Sequence, residues 1–199
     1  MTFASAVAVA LIVVAANRAR DRADALRQAA AVPGPAPHFR GAELPPGVRA
    51  PRFRLRDQNG NVVTRSMLGA RPAVVTFLYT HCKDTCPITA QQVKGALDDL
   101  RTPVPAIAIS VDPANDTPAS ARAFLRKTGI GDRMSFLLGS RAELEPVWKG
   151  FAIRPQHQHE EHQARLVLLD EQGFQRVGFP ISQATPERIA HDLRALGAS

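Results

Sequence analysis

Cys82 and Cys86 stand in the stretch THCKDTCPIT, residues 80–89, and they are the only two cysteines of the 199-residue chain. At this spacing the sulfurs can meet in a disulfide if the loop curls back, or stay slightly parted around an ion. Three chemistries fit: a structural bridge, a dithiol that exchanges with its disulfide, or part of a metal site. A bridge closing so short a loop removes little chain entropy, and a chain of this length buries a core without one. Paired thiolates suit zinc, Cu(I) or redox exchange, but a closed zinc site usually needs four ligands. Histidines or carboxylates would have to complete the set.

Histidines gather in HQHEEHQARLVLLD as His157, His159 and His162. His162 lies directly before an apolar run that reads as a strand, so a rigid element fixes its direction. His157 and His159 fall further back in a polar loop. Pro87 restricts the residue before it to extended geometry, which suits a helix N-cap. Cys86 is therefore expected at the cap, with Pro87 at the first helical position and the helix dipole favouring a thiolate there. Cys82 lies on the preceding loop.

The elements that must hold these groups alternate from Pro51 onwards. FRLRDQNGNVVT reads as a hairpin turning at Asn59-Gly60. AVVTFLYT, AIAISVD, MSFLL and ARLVLLD are short apolar runs of the kind buried in a sheet covered on both faces. Helices fit between them. One follows Cys86 with Val93, Leu97 and Leu100 on a single face; a second is capped by Thr117 before Pro118; a third opens on the capping box Ser140 and Glu143; a fourth runs from Thr185-Pro186 through Ile189 and Leu193. LLDEQGFQRVGFP adds a last hairpin around Gln172-Gly173, which makes the sheet mixed. A cysteine pair at a strand-to-helix junction, in an α/β domain that closes with a hairpin and a helix, is the plan of a thioredoxin-like fold with an N-terminal hairpin extension.

Upstream, residues 1–16 carry no charged side chain. As a helix they would span about 24 Å, short of a bilayer core of about 30 Å, so they read as a signal-peptide core or a minimal anchor. Arg18, Arg20 and Arg22 follow this run and none precedes it, a distribution that by the positive-inside rule favours a cytoplasmic body. Export is nevertheless the expected fate. Residues 1–28 are thus a signal or anchor segment with a basic flank. Residues 29–49, with AAAVPGPAPHFRGAELPPG, are a semi-rigid proline- and glycine-rich linker, and 50–199 are the domain. The net charge of +7, from 25 Lys and Arg against 18 Asp and Glu, is scattered without a dense run or aromatic interleaving, which argues against a nucleic-acid partner.

From about Pro51 to Leu196 the chain resembles the Sco/SenC family of membrane-tethered, thioredoxin-like copper proteins of cytochrome c oxidase assembly. The likeness rests on four stretches in the family's order: APRFRLRDQNG, FLYTHCKDTCP, VDPANDTP and HQARLVLLD. The resemblance implies that Cys82, Cys86 and His162 bind copper, as Cu(I) or Cu(II). It also implies a domain on the extracytoplasmic side, membrane-anchored or secreted, whose partner is oxidase subunit II or another copper protein. Soft thiolates select Cu(I) and an imidazole completes a three-coordinate site. Asp84, Asp112 and Asp116 match family positions and read as loop-organising groups rather than ligands. Lys83 stands where the family usually has proline, and a cation there shifts the balance towards thiol exchange.

The expected role is that of a metallochaperone, with no turnover chemistry, that delivers copper or keeps the recipient's cysteines reduced. The rival is a metal-independent thiol-disulfide oxidoreductase in which Cys82 attacks and Cys86 resolves; only the copper reading needs His162. A peroxiredoxin would carry threonine three residues and proline seven residues before its cysteine. Those positions hold Tyr79 and Val75 before Cys82, and Lys83 and Tyr79 before Cys86.

Overall fold

The computed structural model describes residues 38–154 and 165–198, together with Arg18 and Arg20. Contacts divide the chain into two units, 1–36 and 37–199. Of the first, Arg18 and Arg20 are helical and exposed. The apolar run 1–16 lies outside the described residues, and among those described no helix is long and apolar enough to cross a membrane.

The second unit is built on strands β1 (Ala42–Glu43), β2 (Arg54–Arg56), β3 (Val62–Thr64), β4 (Ala73–Leu78), β5 (Ala106–Ser110), β6 (Ser135–Leu137), β7 (Arg165–Leu169) and β8 (Gln175–Pro180). Its helices are α1 (Thr85–Asp98), α2 (Pro118–Thr128), α3 (Arg141–Gly150) and α4 (Pro186–Ala195). Six strands form one mixed sheet in the order β1-β8-β7-β4-β5-β6, while β2 and β3 make a separate hairpin. β4, β5 and β6 are parallel; β7 runs against them, and β8, antiparallel to β7, runs their way again. Both hairpins and all four helices expected from the periodicity are present.

Why the centre of the sheet is parallel follows from its burial. All six residues of β4 and all five of β5 are buried, so these strands need cover on both faces, as a strand-helix-strand crossover supplies. Along β4 the period of two sends Val74 and Leu78 to one core, with Val93 and Leu97 of α1 and Ile189 and Leu193 of α4. Val75 and Phe77 point the other way, into a core with Leu55 and Val63 of the hairpin and Val147 and Trp148 of α3. In that second core Phe77 meets Phe151 edge-on at 5.2 Å, and the buried Trp148 Nε1 donates to the Ser110 carbonyl at 2.9 Å. Helix starts are fixed locally. Thr117 and Ser120 form a capping box on α2, Ser140 and Glu143 form one on α3, and Thr185 caps α4.

The sheet is closed on one side by a strand inside the stretch whose composition suggested a linker. β1 pairs with β8, Ala42 opposite Gly178 and Glu43 opposite Val177. Asp192 of α4, fully buried, accepts the amides of Arg40 at 2.7 Å and Gly41 at 2.8 Å. A β-carbon at Gly41 would stand 2.5 Å from Val177 Cγ1, so glycine alone lets the backbone approach this closely.

Candidate functional site

β4 ends at Leu78, and residues 79–84 carry the chain over to α1 with Cys82 on the way. Helix α1 starts at Thr85, two residues earlier than Pro87 suggests, and its N-cap position is Asp84, whose side chain makes no capping bond. Cys86 is therefore not the cap but the second helical residue, and Pro87 is the third. The displacement costs nothing, because first-turn amides have no intrahelical acceptor and proline's missing N–H is harmless there. A sulfur performs the capping: the amide of Cys86 donates to Cys82 Sγ at 3.2 Å. It is Cys82, not Cys86, that the amides and dipole of α1 favour as an anion.

The two cysteines are unbridged, Cys82 half-buried and Cys86 fully buried. Hydrogen bonding from the Cys86 thiol, more than any other cause, lowers the Cys82 pKa to about 4; Thr85 and the amides of Cys86 and Asp84 add to it against the opposing effect of burial. Thr85 Oγ1 lies 3.4 Å from Cys82 Sγ. The Cys86 thiol is pushed far upward, first by that same hydrogen bond to Cys82 and then by burial. Tyr79, raised to about 12 by burial and by its hydrogen bond with Cys82, stays a neutral phenol. Lys83 and Asp84 are exposed.

Behind the loop, Asp116 ties three elements together. Its Oδ1 accepts from the Thr80 amide at 2.8 Å and from Thr80 Oγ1 at 2.7 Å, and its Oδ2 accepts from Ser110 Oγ at 2.6 Å. Burial raises its pKa against the pull of these donors. Asp116 thus organises the loop two residues before Cys82, while Asp112 binds Asn115 Nδ2 on the exterior. Thr80, Thr85 and Ser110 drew no attention in the sequence. Here only Asp112 and Asp116 were signalled, both by the VDPANDTP segment.

Residues 155–164, and with them His157, His159 and His162, lie outside the described residues. Among the described residues no three His, Cys, Asp or Glu side chains converge as a metal site. The sheet nevertheless fixes where the chain re-enters. β7 runs antiparallel to β4 with Leu166 opposite Thr76, and Thr76 Oγ1 donates to the Arg165 carbonyl at 3.4 Å. The start of β7 and the end of β4 therefore share one sheet edge, and His162 is three residues upstream of that start.

The SCO1/SenC family model matches residues 42–198. The chain belongs to the SCO1/SenC family. Protein SenC of Rhodobacter capsulatus is 30% identical over 152 residues, covering 71% of this chain and 67% of that protein. An SCO2-like protein of Rickettsia conorii is 23% identical over 125 residues. The match covers 61% of this chain and only 60% of that relative's length. Bradyrhizobium japonicum ScoI, solved with copper bound, superposes with a TM-score of 0.63 at 32% identity, covering 73% of this chain and 98% of that one. The α/β fold with a mixed sheet and flanking helices is thus the thioredoxin-like fold of Sco proteins.

Proposed function

We propose that this SCO1/SenC protein binds copper through Cys82, Cys86 and His162 and delivers it to a copper protein such as subunit II of cytochrome c oxidase. The observation that carries the reading is the unbridged sulfur pair at the N-terminus of α1, with Cys82 held as a thiolate by Cys86 and Thr85. Two sulfurs and an imidazole are a soft donor set, which selects Cu(I), while Cu(II) would recruit a further ligand. The shared edge of β4 and β7 supports His162 as the third donor, since three residues of chain reach about 10 Å. In the same reading the protein acts on the extracytoplasmic side, tethered or exported through residues 1–28 and spaced from the membrane by the linker. The bound copper supplies the cargo; the chain holds the sulfurs, their protons and the loop.

Thiol-disulfide exchange is a second reading, favoured by the half-exposed, low-pKa Cys82 in front of a buried Cys86. The Cys82 thiolate attacks one sulfur of a partner's disulfide, breaking that S–S bond and forming a mixed disulfide. Cys86 then gives its proton to the partner thiolate released in the first step and attacks Cys82 Sγ, releasing the partner's second sulfur as a thiolate. The partner gains two electrons and the pair here loses them.

Titration of the reduced full-length protein with Cu(I) against a competing chelator tests the first reading. One tight site is expected, weakened at least about tenfold in His162→Ala and in Cys82→Ser. Unchanged affinity in His162→Ala hands the site to the exchange reading.

A further inference from the structure

At the end of the sheet away from the cysteines, the turn between β7 and β8, the segment before Ala50 and the turn Arg65–Leu68 border a cavity of about 130 Å³. Two backbone hydrogen bonds lay the segment against the β7-β8 turn, from the Ala50 amide to the Gly173 carbonyl at 2.9 Å and from the Gln175 amide to the Val48 carbonyl at 2.8 Å. Leu169, in the cavity wall, pairs with Ala73 at the first position of β4, whereas Cys82 lies beyond its last. The cavity is thus a strand's length, about 20 Å, from the sulfur pair.

Its polar lining is Arg49, Arg65, Ser66 and Gln172, with no Asp or Glu among the described residues. Arg49 is held over the Phe174 ring, 4.5 Å from its centroid. Arg65 lies against the backbone at Gly173, where a β-carbon would come within 3.4 Å of Nη1. Arg65 Nε is buried and has no hydrogen-bond acceptor. Among the described residues neither guanidinium meets a carboxylate. The acids of the turn are engaged elsewhere, Asp170 with Arg176 at 3.2 Å and the exposed Glu171 with Gln172 Nε2 at 2.8 Å.

A guanidinium stays charged at every physiological pH and only donates. Charge taken partly out of water calls for a partner, and the described residues supply the half-buried Arg65 with none. The cavity that Arg65 lines has room for the missing counter-charge. Its donors come from separate parts of the wall: two guanidiniums on different segments, the Ser66 hydroxyl and the Gln172 carboxamide. Such a set suits oxygens arranged as a tetrahedron better than the two coplanar oxygens of a carboxylate, which one guanidinium fork satisfies by itself.

We propose that this cavity binds a small tetrahedral oxyanion, free phosphate or sulfate, with Arg65 as its principal ligand and Arg49 as its second. The site stands apart from the copper reading and needs neither cysteine.

Titration of the full-length protein with inorganic phosphate at constant ionic strength, followed by calorimetry and amide NMR, tests the assignment. One saturable site is expected, with shifts at Ser66, Gly69 and Gly173 and none at Cys82. Arg65→Gln should weaken phosphate binding at least about tenfold and Arg49→Gln about fivefold. Arg52→Gln, which changes an exposed arginine outside the cavity lining, should stay within about twofold of wild type. Sulfate should displace phosphate, and acetate should bind at least about tenfold more weakly. Phosphate should raise the thermal midpoint of wild type and leave that of Arg65→Gln unmoved. Phosphatidylglycerol vesicles should leave the Ser66 and Gly173 resonances in place. Absence of a saturable site, wild-type affinity in Arg65→Gln, equal weakening in Arg52→Gln, a preference for acetate, or a response to the vesicles in place of the free ion overturns the proposal.

Discussion

The amide of Cys86 points at the sulfur of Cys82 across 3.2 Å. One sulfur thereby stands where a capping oxygen would stand at the start of α1, facing the free amides of the first turn. The other is carried inside on the helix itself. The pair is consequently asymmetric: Cys82 is ionised and reachable, whereas Cys86 keeps its proton and is shielded by the core.

That asymmetry is directly measurable. A lowered pKa means that the thiolate persists until the pH falls through the lowered value, here about 4. Alkylation of the reduced protein by iodoacetamide should therefore modify Cys82 alone, at a rate that holds steady from about pH 8 to about pH 6 and declines only on approach to pH 4, since the thiolate is the nucleophile. Peptide mapping that finds Cys86 labelled first, or a rate that climbs through pH 9, contradicts the assignment.

Thr80 is expected to matter for stability as well as for the site. In Thr80→Val, Asp116 Oδ1 keeps the amide at 2.8 Å and loses the hydroxyl at 2.7 Å. A buried carboxylate deprived of one of its donors should cost about 1–3 kcal/mol. Denaturant unfolding measures it, and Thr80→Ser should recover most of the loss.

The elements were legible because their signals are local. The apolar run of Ala73–Leu78, the caps at Thr117, Ser140 and Thr185, and the Asn59-Gly60 turn all act within a few residues. The start of α1 misled because the rule for the residue before proline is a backbone preference, and a contact outside that rule, the Cys86 amide to the Cys82 sulfur, outweighed it. β1 escaped notice for a different reason. Its two residues have no periodicity to read, and what holds them is pairing with β8, with Asp192 clasping the amides of Arg40 and Gly41 just before them, partners far away along the chain. At the site, the cysteines announce themselves by type and spacing, while Thr80 is an ordinary threonine until the fold sets Asp116 against it.

Asp192 should prove the anchor of the chain's approach to the sheet. Truncation in Asp192→Ala leaves the amides of Arg40 and Gly41 without their acceptor, a loss of about 2–4 kcal/mol for two bonds to a buried charge. Hydrogen exchange at Arg40 and Gly41 should rise together with it, and at the α1 amides far less. If the two amides stay protected, the clasp is not what holds β1.

Gly41 tests the same junction by overfilling it. A methyl group placed 2.5 Å from Val177 Cγ1 and 2.7 Å from the Phe179 ring has no room, so Gly41→Ala should cost about 1–3 kcal/mol through displacement of β1 or β8. Thermal unfolding compared with Gly47→Ala separates crowding from backbone strain, because Gly47 has nothing within 4 Å of its would-be β-carbon but a φ of +81°.

Which part of the site makes Cys82 acidic is decided by comparing two changes at its partner. The hydrogen bond from the Cys86 side chain is the largest of the lowering causes, ahead of Thr85 and of the backbone amides of Cys86 and Asp84. Cys86→Ala removes that donor and keeps the amide capping bond, so the pH midpoint of Cys82 alkylation should climb from about 4 towards the ordinary thiol range. Cys86→Ser restores an O–H donor at the same place and should return the midpoint most of the way. Thr85→Ala, which strips the hydroxyl 3.4 Å from the sulfur, should raise it by less than Cys86→Ala does. If Cys86→Ala leaves the midpoint where it was, the helix terminus alone sustains the thiolate, and the buried thiol serves only as a resolving group or a ligand.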